Sequence, residues 1–296
     1  MSSEMFHDRL QGHLACIYGE EQAPDLLQRL LQLVDRHLQK RSGDAPAKPL
    51  WDESDNLLIT YGNSIQYPGM NPLASLKQFL DRRLQGAISR VHLLPFFPFS
   101  SDEGFAVSDF AAVNPDLGSW DDIGQLGEHF SLLFDLVLNH MSREHLWFVQ
   151  FVNGEKPGRD YVIEVDPGEN LSLVVRPRST PLLSRVRTPG GMHHVWATFS
   201  NDQIDLNYAN PDLLFEIIEL LLGYVRHGAS AIRLDAVAYL WKQIGTPCVH
   251  LPQTHEVVKL FRTLLQELEP GVILLTETNV PHAENISYFG RGDEAN

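Results

Sequence analysis

The spacing of apolar residues changes character near residue 56. Before that point Leu26, Leu27, Leu30, Leu31, Val34 and Leu38 recur at three- and four-residue intervals, with Gln, Arg and Asp between them. That period puts one apolar stripe on a helix, so the first forty residues read as helices. Pro24 suits a helix start. Arg41-Ser-Gly-Asp-Ala-Pro-Ala-Lys-Pro49 is punctuated by Gly and Pro and reads as a linker. From Asn56 onward short continuous apolar runs take over: Leu57–Tyr61, Ser89–Leu94, Ser131–Leu138, Ala231–Asp235 and Val272–Thr276. Unbroken runs of this length, unlike alternating ones, describe strands buried on both faces.

Helices separate these runs. Asn210-Pro211-Asp212 supplies an N-cap, a proline in the first turn and an acid beside it. An apolar face follows from Leu213 to Val225, and Gly228 closes the helix. A second helix is expected from Thr254 to Leu268, stopped by Pro270-Gly271. Strands alternating with helices predict parallel βαβ units and an α/β fold. The span between His140 and Leu206 breaks the rhythm. It is rich in Pro, Gly and Arg and too long for an ordinary connection, so it reads as an inserted subdomain or a functional loop.

Three strand ends carry the chemistry. In Ala231-Ile-Arg-Leu-Asp235, alternation puts Arg233 and Asp235 on one face. The arginine would hold the carboxylate oriented and ionised, with its pKa kept low, as a covalent nucleophile requires. A buried structural ion pair fits the same residues. Val272–Glu277 also ends on a carboxylate, which partial desolvation could turn into a general acid; a solvent-facing strand-end glutamate is the plainer alternative. Asp135 sits inside an apolar run and needs a partner, for which Arg233 is the natural candidate. Asn139 and His140 follow at that strand's end, where an imidazole could donate to a substrate hydroxyl.

These residues resemble the signatures of glycoside hydrolase family 13, the α-amylase superfamily. Asp135-Leu-Val-Leu-Asn-His140 is similar to its first conserved region, and Arg233-Leu-Asp235 to the region holding the nucleophile. Glu277-Thr-Asn279 is similar to the region holding the acid/base, and Gln203-Ile-Asp-Leu-Asn207 to the signature near the end of the inserted domain. Within the superfamily, Ile59-Thr-Tyr61, Val91-His-Leu-Leu-Pro-Phe-Phe97, Leu117-Gly-Ser-Trp-Asp-Asp122 and Arg176-Pro-Arg178 resemble the sucrose phosphorylase group. Asn63 stands where sucrose-specific members carry aspartate, and Phe110 where they carry histidine; both would lie in the glucose-holding subsite. Gly104–Phe110 is instead similar to members acting on sucrose 6-phosphate or glucosylglycerate. Thr276–His282 and Asn285–Gly290 lean toward glucosylglycerate phosphorylases.

The resemblance implies a partial (β/α)8 TIM barrel with about five of eight strands. Residues 1–49 would form the helical extension and linker, 50–140 the first part of the barrel, 141–206 the inserted domain and 207–296 the barrel continued. It implies a retaining double displacement with Asp235 as nucleophile and Glu277 as acid/base, their carboxyls about 5–5.5 Å apart. Inorganic phosphate would then release α-D-glucose 1-phosphate, with Arg178 as the phosphate contact. Asn63, Phe110, His140 and Arg233 would bind substrate. Asp135, Asn139, Gln203, Asp205 and Asn207 would support the site. Many amylases bind calcium near the residue matching Asn139, but the phosphorylase group does not depend on it, so no metal or cofactor is expected.

Two other classes stay open: a glucosidase or transglucosidase, and a non-catalytic or incomplete amylase-fold chain. Too few residues follow Glu277 for three more βα units of roughly 30 residues each. A truncated chain with little activity alone is therefore expected.

Composition narrows the partners. There are 38 Asp and Glu against 23 Lys and Arg, a formal charge of −15. That excess argues against a nucleic-acid or anionic-membrane partner. Cys16 and Cys248 make neither a metal-ligand spacing nor a disulfide framework. The N-terminus lacks a basic region followed by an apolar run, and the expected location is the cytoplasm. The family resemblance implies a sugar substrate and inorganic phosphate as partners.

Overall fold

The computed structural model describes residues 3–40 and 51–290. The Arg41–Pro49 linker lies outside the described residues. Five strands form one parallel sheet: β1 (Leu57–Thr60), β2 (Arg90–Leu93), β3 (Ser131–Val137), β4 (Ala229–Asp235) and β5 (Ile273–Thr276). Their order in space is their order in the chain. The register sets Arg233 beside Asp135 on β3, and Leu234 beside Thr276 on β5. Parallel neighbours all end at the same edge of the sheet, so residues that close successive strands meet there.

Two helices, α1 (Ser3–Tyr18) and α2 (Ala23–Lys40), precede the sheet. The crossovers run through α3 (Pro72–Arg83), α4 (Trp120–Gly127), α5 (Pro211–Arg226) and α6 (Pro252–Leu268). Their starts follow local chemistry. Asn71 and Asn210 cap α3 and α5 by accepting backbone N–H groups, and each helix has proline in its first turn. Ser119 and Asp122 cap each other reciprocally at the start of α4. The sequence places the start of α6 at Thr254, but the helix begins at Pro252. Thr254 is fully buried, and its hydroxyl accepts the Trp241 N–H instead of capping.

The N-terminal helices dock on the outer crossover helices. His13 on α1 reaches Glu256 (2.8 Å) and Thr263 (3.1 Å) on α6. His37 on α2 meets Glu269 at 2.9 Å, and Arg29 meets Asp212 at 2.5 Å. Leu10, Leu14 and Leu30 are fully buried in the core shared with the sheet. Leu38, expected on the buried stripe, is 45% exposed. His37, one position earlier on the turn, takes the inward place.

The span between β3 and α5 has structure of its own. It opens and closes on a short antiparallel pair, His140–Ser142 with Gln203–Asp205. Between them lie the helix Leu146–Asn153 and the hairpin Leu183–Thr188 with Gly191–Trp196. The closing pair sits directly beyond β3, which brings this span to the sheet's carboxyl edge.

Leu10 is buried at the docking face and should respond to truncation. Leu10→Ala is expected to lower unfolding free energy by about 2–5 kcal/mol, read from urea denaturation.

Candidate active site

At the carboxyl edge of the sheet one guanidinium serves three carboxylates. Arg233 Nη1 donates to Asp135 and, at 3.2 Å, to Asp235 Oδ1. Its Nη2 lies 3.2 Å from Glu277 Oε1. Asp135 has no solvent exposure, and its other oxygen is 2.8 Å from His92 Nε2 on β2. Asp135 therefore has the partner that its apolar setting demands, and a second one besides. His92 was not singled out from the sequence. The available signal was a polar side chain between two apolar ones, Val91 and Leu93, in β2.

Glu277 follows β5, and its Oε2 accepts the backbone N–H of Ala236 at 2.8 Å. Ala236 sits at φ +51°, in the left-handed region, immediately after Asp235. That turn ends β4 and points its amide at the neighbouring strand's carboxylate. The Phe105 ring lies under the guanidinium, 5.9 Å from its centre. Asp235, Glu277 and Arg233 open on a cavity of about 340 Å³ whose other walls include His140, Gln203, Phe199, Asp102, Phe105 and Arg178.

The model of the alpha amylase catalytic domain matches residues 85–296. The chain belongs to the α-amylase family. It is 49% identical over 292 residues to a glucosylglycerate phosphorylase of Spirochaeta thermophila, covering 97% of this chain and 50% of that protein. It is 44% identical over 287 residues to the Escherichia coli K12 protein of the same name, covering 97% and 51%. The crystal structure of sucrose 6F-phosphate phosphorylase from Thermoanaerobacter thermosaccharolyticum superposes with a TM-score of 0.69 at 30% identity, covering 77% of this chain and 49% of that one. The chain thus spans about half the length of the curated relatives it matches.

Not every residue singled out by family resemblance reaches this cavity. Asn63 lines a separate cavity of about 400 Å³ with Tyr61, Phe99 and Glu103. Phe110 lines neither: it is 2% exposed, with its ring 4.9 Å from that of His145 and 6.0 Å from that of Trp147. An aromatic ring at this place joins the core, where a histidine would need a polar partner. His140 does line the cavity, but its Nε2 already meets the Phe105 carbonyl oxygen at 3.0 Å. Burial lowers its pKa and keeps the ring neutral. In this structure His140 Nε2 also lies 3.2 Å from the Gln203 amide nitrogen. Arg178 stands exposed at the cavity. Arg176, by contrast, is tied to Thr180 and to the Thr198 carbonyl.

The supporting residues make a buried network. Asn139 Nδ2 donates to Asp205 Oδ2 at 3.1 Å, and both residues are fully buried. Gln203 donates to Asp102 at 2.8 Å. Asn207 donates to the Asp160 carbonyl at 3.2 Å, away from the cavity.

The expected low pKa of Asp235 is corrected by this geometry. Asp235 is 6% exposed, and burial pushes its carboxyl well above the usual range. The charges of Glu277 and Asp135 push the same way, against Arg233. One guanidinium cannot offset three carboxylates, so the cluster favours holding a proton. The raised value makes the protonated form stabilising at low pH, a contribution lost as pH rises through the folded-state value. Asparagine cannot ionise. Asp235→Asn should therefore match the native chain near pH 4 and melt about 2–4 °C higher toward pH 8, measured by thermal denaturation.

Proposed function

We propose that this cavity carries out retaining transfer of an α-glucosyl unit, with inorganic phosphate as an acceptor. The observation that carries the proposal is the single guanidinium holding Asp235 and Glu277 at the ends of adjacent strands. In this reading Asp235 attacks the anomeric carbon as the bond to the departing oxygen breaks, and Glu277 gives that oxygen its proton. An oxygen of phosphate then attacks the same carbon. Asp235 leaves, the phosphate proton passes to Glu277, and α-D-glucose 1-phosphate departs. The proton that burial favours on Asp235 must lie on Glu277 before the first step. Their shared contact with Arg233 gives the two carboxyls a common electrostatic environment for that exchange.

Arg178 is the candidate anion contact. It lines the same cavity and carries positive charge in a chain of net −15. Phosphate and glycerate are both anions, so one cation at this mouth suits either. The names of the relatives at 44–49% identity favour glucosylglycerate as the substrate. We read β1–β5 as corresponding to the first five strands of an eight-stranded barrel, with residues 141–206 inserted after the third and the helices of residues 3–40 packed outside. No helix among the described residues is long and apolar enough to cross a membrane. A reaction on free phosphate suits the cytoplasmic setting expected from the sequence.

The test supplies α-D-glucose 1-phosphate with D-glycerate and follows released phosphate. It is run on the chain alone and on the chain fused to the second half of the Spirochaeta thermophila relative. Phosphate release from the fusion is expected, and Glu277→Gln should reduce it by about 10²–10⁴-fold. Release from neither protein would overturn the proposal. Glucose in place of a glycerate adduct would mark a hydrolase instead.

A further inference from the structure

One buried cation plays no part in the chemistry described so far. Lys242 follows β4 by seven residues, and its side chain is 5% exposed. Its ammonium has three N–H donors and meets three oxygens: Asp205 Oδ2 at 2.6 Å, Asn139 Oδ1 at 2.9 Å, and the Tyr239 carbonyl. Every donor is used. The three oxygens belong to three separate segments. Asn139 ends the β3 segment, Asp205 closes the span between β3 and α5, and Tyr239 lies in the turn after β4.

Each of these segments also supplies a cavity wall. His140 is the residue after Asn139, and its Nδ1 lies 3.3 Å from the Asn139 amide nitrogen. Asp205 accepts the N–H and hydroxyl of Thr198, at 2.7 and 2.6 Å. Phe199 comes next, packing at 5.2 Å on the His140 ring and edge-on to Tyr239. Without the ammonium, Asp205 would be a fully buried carboxylate with no ion pair at hydrogen-bond distance among the described residues, a costly arrangement that the more distant Arg176 charge only partly offsets.

We propose that Lys242 is a positioning residue for the cavity, an internal cation that acts through Asn139 and Asp205 to fix His140 and Phe199 opposite the reacting carboxylates. The inference deepens the glucosyl-transfer reading, because it takes this cavity as the sugar site.

The charged groups around His140 make the proposal measurable. Asp205 and Asp102 favour the imidazolium, while Lys242 and burial oppose it. The groups in direct contact with the ring are neutral: the Asn139 and Gln203 amides, the Phe105 carbonyl and the Phe199 ring. Arg178, Arg233, Asp235 and Glu277 share the cavity with it and are the same in the native chain and the variant. Removing the Lys242 charge takes away the cation that counters Asp205 at the imidazole. The His140 titration, followed by imidazole NMR between pH 4 and 8, should then move upward by about one pH unit in Lys242→Met, which keeps the side chain's bulk.

Lys242→Ala leaves room for n-propylammonium. That amine should restore the native His140 midpoint and raise the variant's melting temperature, and n-propanol should do neither. An unchanged midpoint in Lys242→Met would overturn the proposal. So would equal rescue by the alcohol, which would show that volume alone matters. Should Lys242→Ala fail to fold unaided, folding that depends on the amine supports the proposal; folding with the alcohol, or with neither additive, overturns it. None of these measurements needs turnover. A protein that releases no phosphate would sink the glucosyl-transfer reading without touching this result.

Discussion

Three carboxylates compete for one guanidinium, and the rest of the site is arranged around that imbalance. Arg233 can hold Asp135, Asp235 and Glu277 together only because β3, β4 and β5 lie parallel and adjacent, with their ends level. The excess negative charge cannot relax into water at Asp135 or Asp235, since both are buried. It is met by a bond from His92, by the Ala236 amide and by the affinity of Asp235 for a proton. A proton held in a buried carboxylate cluster is the reservoir that acid–base chemistry draws on.

Much of this was legible in the chain. The five apolar runs became the five strands, because continuous burial on both faces of a parallel sheet leaves little freedom in composition. The pairing of Asp135 with Arg233 followed from the cost of an isolated charge among apolar neighbours. Local patterning could not supply the groups that meet across long sequence separations. His92 stands 43 residues from Asp135, and Lys242 stands 103 from Asn139. Each looks ordinary in its own segment and acquires a role only from its partner. Position in the sequence also did not reveal surroundings in two places: Phe110 lies in the core, and Asn63 lines a different cavity.

The N-terminal helices show a different division of labour. They touch α5 and α6, the crossovers on either side of β4, and not the cavity. Their ion pairs and buried leucines brace the outer layer behind the strand that carries Arg233 and Asp235. The span between β3 and α5 supplies the opposite wall through its closing strand pair. The carboxyl edge of the sheet is thus held from behind by packing and from in front by a buried polar network.

Ala236 gives the site an unusual kind of durability. The hydrogen that it offers to Glu277 belongs to the main chain, so replacing the side chain at this position does not delete it; proline alone would. An alanine scan would pass over the contact without a signal, because the residue is alanine already. What constrains the position is backbone shape: a left-handed turn admits glycine or asparagine readily and resists branched side chains. Sequence drift here would be filtered by conformation, not by chemistry. The glutamate's anchor would persist among relatives with little trace in the identity of the residue that provides it.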